Sequence, residues 1–458
     1  MYDIKHKTNN MRNSRIFAPQ LIIFQALLIS ISAQNPIIRN QFTADPTARV
    51  FNGKIYLFPS HDIPAPANFA RKDWFCMEDY HVFSSSNLTD WTDHGVIVSQ
   101  YKVKWIDTTT YSMWAPDCVE RNGKYYFYFP ANVNASFGKG FGIGVAIADK
   151  PEGPYIPQPA PIKGVRGIDP CVFIDKDGQA YIYYSLNRIF AAKLKANMVE
   201  LDSEPVILSE FPGKGLVEGP FLFERKGIYY MTYPHVENKT ERLEYATSDK
   251  PLGPFKFRGV IMDESPTGCW TNHHSIIEYN NQWYLFYHHN DYSPKFDKNR
   301  SVRIDSLFFN DDGTIRKVIP TLRGVGITNA TDKIEIDRYS SISEAGVAIA
   351  LLDTLDTFKG WKSILSKQNA WIRYNMVDFG NKKLKSVQAR VISPNRSLLQ
   401  IRFNGPDGLL LAEINIPAGE SWNTVNSKLL KYQGGIHDLV IIMKDNNPVE
   451  VDWIKFGK

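Results

Sequence analysis

One hairpin is written five times along this chain, each time as strand, polar turn and aromatic strand. The copies are DPTARVFNGKIYLFPSH (Asp45–His61), APDCVERNGKYYFYFPA (Ala115–Ala131), GIDPCVFIDKDGQAYIYYSLN (Gly167–Asn187), EGPFLFERKGIYYMTYPH (Glu218–His235) and HHSIIEYNNQWYLFYHH (His273–His289). Their equivalent first positions, Asp45, Ala115, Asp169, Glu218 and His273, lie 70, 54, 49 and 55 residues apart. A period of this size fits one four-stranded blade per copy, so residues 35–326 are expected to form a five-bladed β-propeller around a central channel. Between copies, GFGIGVAIADKPEGPY (Gly140–Tyr155) and RLEYATSDKPLGPF (Arg242–Phe255) share an Asp-Lys-Pro-x-Gly-Pro wording. A hairpin turn constrains only its own residues, so this second likeness supports the repeat independently.

The rest of the chain sets bounds. At 458 residues it is long enough for two domains with sizeable cores. Its 53 basic and 48 acidic residues, net +5, are too evenly mixed to signal nucleic acid or an acidic membrane as a partner. Aromatic runs such as KYYFYFP (Lys124–Pro130) suit strands, and the whole chain reads as all-β. The four cysteines, Cys76, Cys118, Cys171 and Cys269, form no C-x-x-C pair, which argues against a structural zinc site or a disulfide scaffold. Near the start, MRNSRIFAPQLIIFQALLISISAQ (Met11–Gln34) sets two arginines before an apolar run ending in Ser32 and Ala33. This has the form of a secretory signal over residues 1–33, with Met11 as an alternative start, and implies a secreted protein, periplasmic or extracellular. No other segment is long and apolar enough to span a bilayer.

The first strand of each propeller blade lines the channel, so residues at one repeat position face one another across a shared cavity. Here that position offers the carboxyls of Asp45, Asp169 and Glu218 and the imidazole of His273. Like charges raise one another's pKa, which keeps one group protonated as an acid beside an ionised base. Glycoside hydrolysis needs such a pair, roughly 6.5 to 9.5 Å apart when water attacks directly with inversion and about 5 to 5.5 Å apart in retaining enzymes. A pair spanning a channel suits the wider gap.

With these motifs the chain resembles glycoside hydrolase family 43, five-bladed propeller enzymes acting on arabinose- and xylose-containing polysaccharides. The resemblance covers about Asn35 to Gly326 and implies that Asp45 is the general base, that Glu218 in VEGPF is the general acid, and that Asp169 in GIDPC tunes and orients that acid. It also implies Trp114, in WAP, as a stacking wall and Arg300 as a donor to sugar hydroxyls, with Arg303 as the rival for that role. His273 resembles the histidine that holds either a water or a structural calcium at the channel centre; no other cofactor is implied. His61, Trp74, Tyr80 and Trp270 flank the inner strands and are candidates to shape the substrate mouth.

After LRGVGITN (Leu322–Asn329) the repeats stop, and residues 333–458 show renewed strand alternation. AWIRYNMVDFG (Ala370–Gly380), SWNTVNSKL (Ser421–Leu429), GGIHDLVI (Gly434–Ile441) and VDWIKF (Val451–Phe456) resemble carbohydrate-binding module family 6, a jelly-roll-like β-sandwich. Where that family usually carries a sugar-stacking Trp and a hydrogen-bonding Asn, this chain has Gly419 and Glu450. A domain that buttresses the propeller is therefore expected over one that binds sugar in that cleft. The function expected is an inverting α-L-arabinofuranosidase or β-D-xylosidase acting on an oligo- or polysaccharide. The alternatives are an endo-arabinanase or galactofuranosidase of the same chemistry and a non-catalytic glycan-binding propeller. No phosphate loop, nucleotide site or Ser-His-Asp set is evident, and oligomeric state has no sequence signal.

Overall fold

The computed structural model describes residues 34–458; the expected signal segment lies outside them. Four four-stranded antiparallel sheets and one three-stranded sheet follow in chain order. Blade 1 holds β1 (Ala44–Phe51), β2 (Lys54–Asp62), β3 (Met77–Ser85) and β4 (Thr92–Ser99), and blade 2 holds β5 (Asp117–Arg121), β6 (Lys124–Asn132), β7 (Phe141–Ala148) and β8 (Ile156–Pro157). Blade 3 is β9 (Ile168–Ile174), β10 (Ala180–Ser185), β11 (Ile189–Leu194) and β12 (Val206–Ile207). Blade 4 is β13 (Phe221–Arg225), β14 (Ile228–Val236), β15 (Glu241–Ser248) and β16 (Lys256–Met262). Blade 5 has β17 (Ser275–Tyr279), β18 (Gln282–His289) and β19 (Ser301–Leu307).

The repeated turns explain the repeated sequence. Asn52-Gly53, Asn122-Gly123, Lys226-Gly227 and Asn280-Asn281 all have positive φ at both central residues, the backbone that lets a two-residue loop match the twist of its strands. Buried aromatic residues on the second strands then pack between neighbouring blades: Phe58 of β2 lies 5.8 Å from Phe127 of β6, ring centre to ring centre. Asp117 ties three blades together, accepting from Arg49 of β1 at 2.7 Å and from the backbone N–H of Val172 in β9 at 2.6 Å.

Blade 5 is completed by the chain's own beginning. The Ile37 N–H donates to Val302 O (2.9 Å) and the Thr43 N–H to Arg300 O (3.0 Å), so the segment from Asn35 runs along the free edge of β19. Asn35 reinforces it with its side chain, donating to Ile304 O and accepting from the Ile304 N–H. An otherwise open sheet edge is thereby covered.

The second domain is a sandwich of a six-stranded and a five-stranded sheet. The first comprises β20 (Thr328–Asn329), β21 (Ser341–Ile342), β24 (Trp371–Asp378), β26 (Ser397–Phe403), β27 (Leu410–Ile416) and β29 (Ile436–Met443). The second comprises β22 (Val347–Leu351), β23 (Trp361–Leu365), β25 (Ser386–Ser393), β28 (Gly419–Lys428) and β30 (Val449–Gly457). Alternate residues of the facing strands, such as Val387, Ala389 and Val391 of β25, fill one apolar core. The sandwich packs on the propeller: Tyr292 stacks on Trp361 at 4.9 Å, Phe42 meets Phe358 at 4.8 Å, Arg39 pairs with Glu335, and Arg338, which lies over the Trp361 ring within the sandwich, comes within 4.0 Å of Asp291. Glu450 is held by Lys362 at 2.7 Å.

Trp361 is 8% exposed at this contact. Trp361→Ala is expected to cost about 3 kcal/mol through lost stacking and a cavity. Denaturant unfolding of the two proteins checks this; a loss under about 0.5 kcal/mol would show that the sandwich does not buttress the propeller.

Candidate active site

Two of the three expected carboxyls sit on a backbone that few residues adopt. Asp45 and Asp169 both have left-handed φ, 45° and 55°, and each lies where the pairing of the first two strands of its blade slips. The Pro that follows each of them has no N–H to lose from the ladder, which suits a bulge. Strain of this kind costs about 1–3 kcal/mol and persists where the surroundings over-determine it. Here each bulge keeps its carboxyl in the lining of a cavity at the centre of the propeller.

That cavity has a volume of about 190 Å³. Asp45, Asp169, Glu218 and His273 line it together, from four different blades. Trp114, Trp270 and Arg300 line it too, as does Trp74, whose ring is covered by the Arg71 guanidinium at 3.8 Å. Tyr80 is buried behind the wall, its hydroxyl donating to Trp114 O at 2.6 Å. His61 does not line the cavity: its Nδ1 is bonded to Asp79 at 2.7 Å, beside His81. Arg303 is also elsewhere, in a buried pair with Asp291.

Arg300 is 2% exposed and its donors are engaged. Nε and Nη2 each donate to Asp62 at 2.9 Å, and Nη1 donates to Asp45 Oδ1 at 2.7 Å and to Thr271 Oγ1 at 3.3 Å. Asp45 Oδ2 accepts from the Ser60 hydroxyl at 2.6 Å, and the Asp45 N–H donates to His288 Nδ1 at 3.0 Å. Burial opposes ionisation of Asp45, yet Arg300, His288 and His273 hold its pKa down to about 2. Glu218 lies in the opposite environment. Burial, then the charge and contact of Glu241, then Asp45 push it well above the usual carboxylate range, against a smaller pull from Arg300. Asp169 is also pushed well up, by burial and by Glu218 and Asp45; its Oδ2 accepts from the Gly219 N–H (3.1 Å) and the Ser185 hydroxyl (3.0 Å).

His273 is lowered to about 4 by burial and Arg300, and so is neutral near pH 7. A Cβ on Gly219, whose φ is +53°, would stand 3.0 Å from His273 Nδ1, so glycine is needed after Glu218. Calcium takes six to eight oxygen ligands. His273 offers one nitrogen rather than the oxygens that calcium prefers, so a cation here would be held mainly through water. Among the described residues, three metal-type donors within 4.8 Å of one another occur at His61, Asp79 and His81, away from the cavity lining.

Among the cavity-lining residues that the sequence reading did not single out, Phe75, Met77, Ile168, Leu216, Thr271 and Glu241, the one that titrates is Glu241. It opens β15, the third strand of its blade, where the repeated hairpin is silent. One signal was present: counting eight back from the shared Asp-Lys-Pro reaches Phe141 in one copy and Glu241 in the other. A charge replaces an aromatic at an equivalent place.

The profile of glycosyl hydrolases family 43 matches residues 33–315, and that of carbohydrate binding module family 6 matches residues 347–458. Xylosidase/arabinosidase 43A of Humicola insolens is 37% identical over 329 residues, 61% of this chain and 98% of its own. An arabinoxylan arabinofuranohydrolase of Bacillus subtilis (strain 168) is 27% identical over 90% of this chain and 89% of its own. Among solved structures, a family 43 β-xylosidase/α-arabinofuranosidase from a compost microbial metagenome, in complex with xylotriose, superposes with a TM-score of 0.56 at 33% identity. It covers 63% of this chain and 98% of that one.

Proposed function

Because the chain belongs to glycosyl hydrolases family 43, we propose that it is an inverting, exo-acting glycosidase that removes arabinofuranosyl or xylosyl units from plant cell-wall polysaccharides. The observation that carries this reading is the opposite environment of two carboxyls lining one cavity: Asp45 is paired with Arg300, which holds its pKa down, and Glu218 is buried against Glu241 without such an ion pair among the described residues, which pushes its pKa up. The names of the relatives support the pentose specificity. A cavity of about 190 Å³ supports exo action, since it lies below the usual 300–1,000 Å³ range of ligand pockets and suits a single sugar ring better than an open cleft for a polymer.

In this reading Asp45 is the base. Its ionised carboxylate accepts a proton from a water poised at the anomeric carbon, and Arg300 and Ser60 fix its direction. Glu218 is the acid that protonates the departing glycosidic oxygen. Asp169 holds the Gly219 peptide, and with it the backbone that carries the acid. Trp114 and Trp270 offer apolar walls for a sugar face. Arg300, spent on Asp62, Asp45 and Thr271, acts chiefly through the base. His273 keeps a water, or a water-bound cation, at the axis.

The roles separate by substrate. Glu218→Gln is expected to lower kcat/KM by about 10²–10⁴-fold on an oligosaccharide and far less on a dinitrophenyl glycoside, whose leaving group departs without a proton. Asp45→Asn should lose both comparably. Equal loss for Glu218→Gln on the two substrates, or near wild-type activity for Asp45→Asn, would reverse the assignment.

A polymer of the cell wall lies outside the cell that secretes its hydrolase, so we also propose export with cleavage after Ala33. Gln34 then begins the mature chain, where its side chain donates to Tyr374 Oη at 2.9 Å. Mass spectrometry of the secreted protein should find Gln34 at the terminus; retention of Met1 or Met11 would exclude this.

A further inference from the structure

Glu241 is 1% exposed, yet it lines the cavity. Its Oε2 accepts from the Asn272 N–H at 2.7 Å. Its Oε1 is buried and has no N–H or hydroxyl to accept from, and among the described residues no lysine, arginine or histidine forms an ion pair with Glu241. Lining the same cavity is the carboxyl of Glu218, with which Glu241 makes a side-chain contact. Two carboxylates can only accept, so a contact between them is attractive only when one of the pair carries a proton.

We propose that Glu241 is a positioning residue that shares one proton with Glu218 and so keeps the acid loaded and its carboxyl aimed into the cavity. The inference rests on the reading of Glu218 as the acid. It also divides the work between two neighbours. Asp169 reaches the backbone, at the Gly219 N–H, whereas Glu241 reaches the carboxyl of Glu218 itself.

The charged groups facing the pair are Asp45 from β1, Asp169 from β9, and Arg300 immediately before β19, with His273 nearby in the cavity wall. Arg300 is already neutralised by Asp62 and Asp45, so it leaves the pair short of positive charge. Glu241 is itself raised to about 7, mainly by burial, and its charge is the largest influence on Glu218 after burial. Such a pair titrates as a unit and releases its shared proton late. The acid then stays competent to higher pH than an isolated glutamic acid would.

The sign of the effect follows. Glu241→Gln removes the negative charge and supplies an amide donor to the Glu218 carboxylate, and both changes lower the pH at which Glu218 loses its proton. In kcat/KM against pH on an oligosaccharide, the alkaline limb should move down by about one unit or more, roughly a tenfold loss on that side of the profile. On a dinitrophenyl glycoside, which needs little acid assistance, the limb should stay in place. Glu241→Asp keeps the charge and should give a limb between the other two; if the Gln variant fails to fold, this variant carries the test. A uniform drop at every pH with an unmoved limb in the Gln variant, or in the Asp variant where only that folds, would overturn the proposal and leave Glu241 a packing residue. The same pair of substrates applied to Glu218→Gln separates the two claims. Equal loss on both removes the acid reading and this proposal with it. An unmoved limb in the Glu241 variants, with Glu218 behaving as the acid, overturns the proposal alone.

Discussion

The site depends on one buried guanidinium. Arg300 meets Asp62 through two side-chain bonds and Asp45 through a third, at 2.7–2.9 Å and almost wholly out of water. A charge buried in this way is tolerable only when paired, and removing one partner typically costs about 3–5 kcal/mol. Asp62 compensates Arg300 on the far side from the cavity, so Arg300 can hold Asp45 ionised without becoming an unpaired cation. Among the described residues Glu218, Glu241 and Asp169 form no comparable ion pair, and their pKa values rise together. One asymmetrically placed cation thus sets Asp45, whose pKa is held down, against three cavity carboxyls that are pushed up, the difference that acid–base hydrolysis requires.

The propeller supplies the geometry for that division. Inner strands from separate blades bring residues 49 to 70 positions apart in the chain to one axis, and bulges at Asp-Pro in blades 1 and 3 turn the carboxyls inward. Closure by the segment from Asn35 secures blade 5, whose loop ahead of β19 carries Arg300. The sandwich domain is bound to that same blade through Tyr292 on Trp361 and to the N-terminal segment through Arg39 on Glu335. Its contact therefore bears on the two elements that position Arg300, which gives a physical reason for the domain's packing even where Gly419 and Glu450 replace the residues of an ordinary sugar cleft.

Residues at the repeat position were legible because a repeated hairpin carries its own register. Asp45, Asp169, Glu218 and His273 could be placed at one cavity by counting alone. Residues off that register were not. His61 and Asp62 are neighbours at the end of β2, and alternation along a strand sends one to Asp79 and the other to Arg300; nothing in the sequence said which. Arg300 and Arg303, three apart, likewise serve different pairs, one at the cavity and one at Asp291. Glu241 sits on a third strand, where the repeat is weakest, and only a contact in space joins it to Glu218. The sandwich was recognisable from its strand alternation, but the aromatic contact at Trp361 depends on how two domains meet, which no local pattern encodes.

The central claim is that Asp45 and Glu218 act from opposite sides of a sugar ring, with water attacking directly. Proton NMR of the anomeric signals during the first minutes of hydrolysis tests this directly. The first product should carry the anomeric configuration opposite to that of the bond cleaved, and only later mutarotate. A first product that retains the configuration would contradict the account, because it requires a covalent sugar–enzyme intermediate and carboxyls about 5 Å apart.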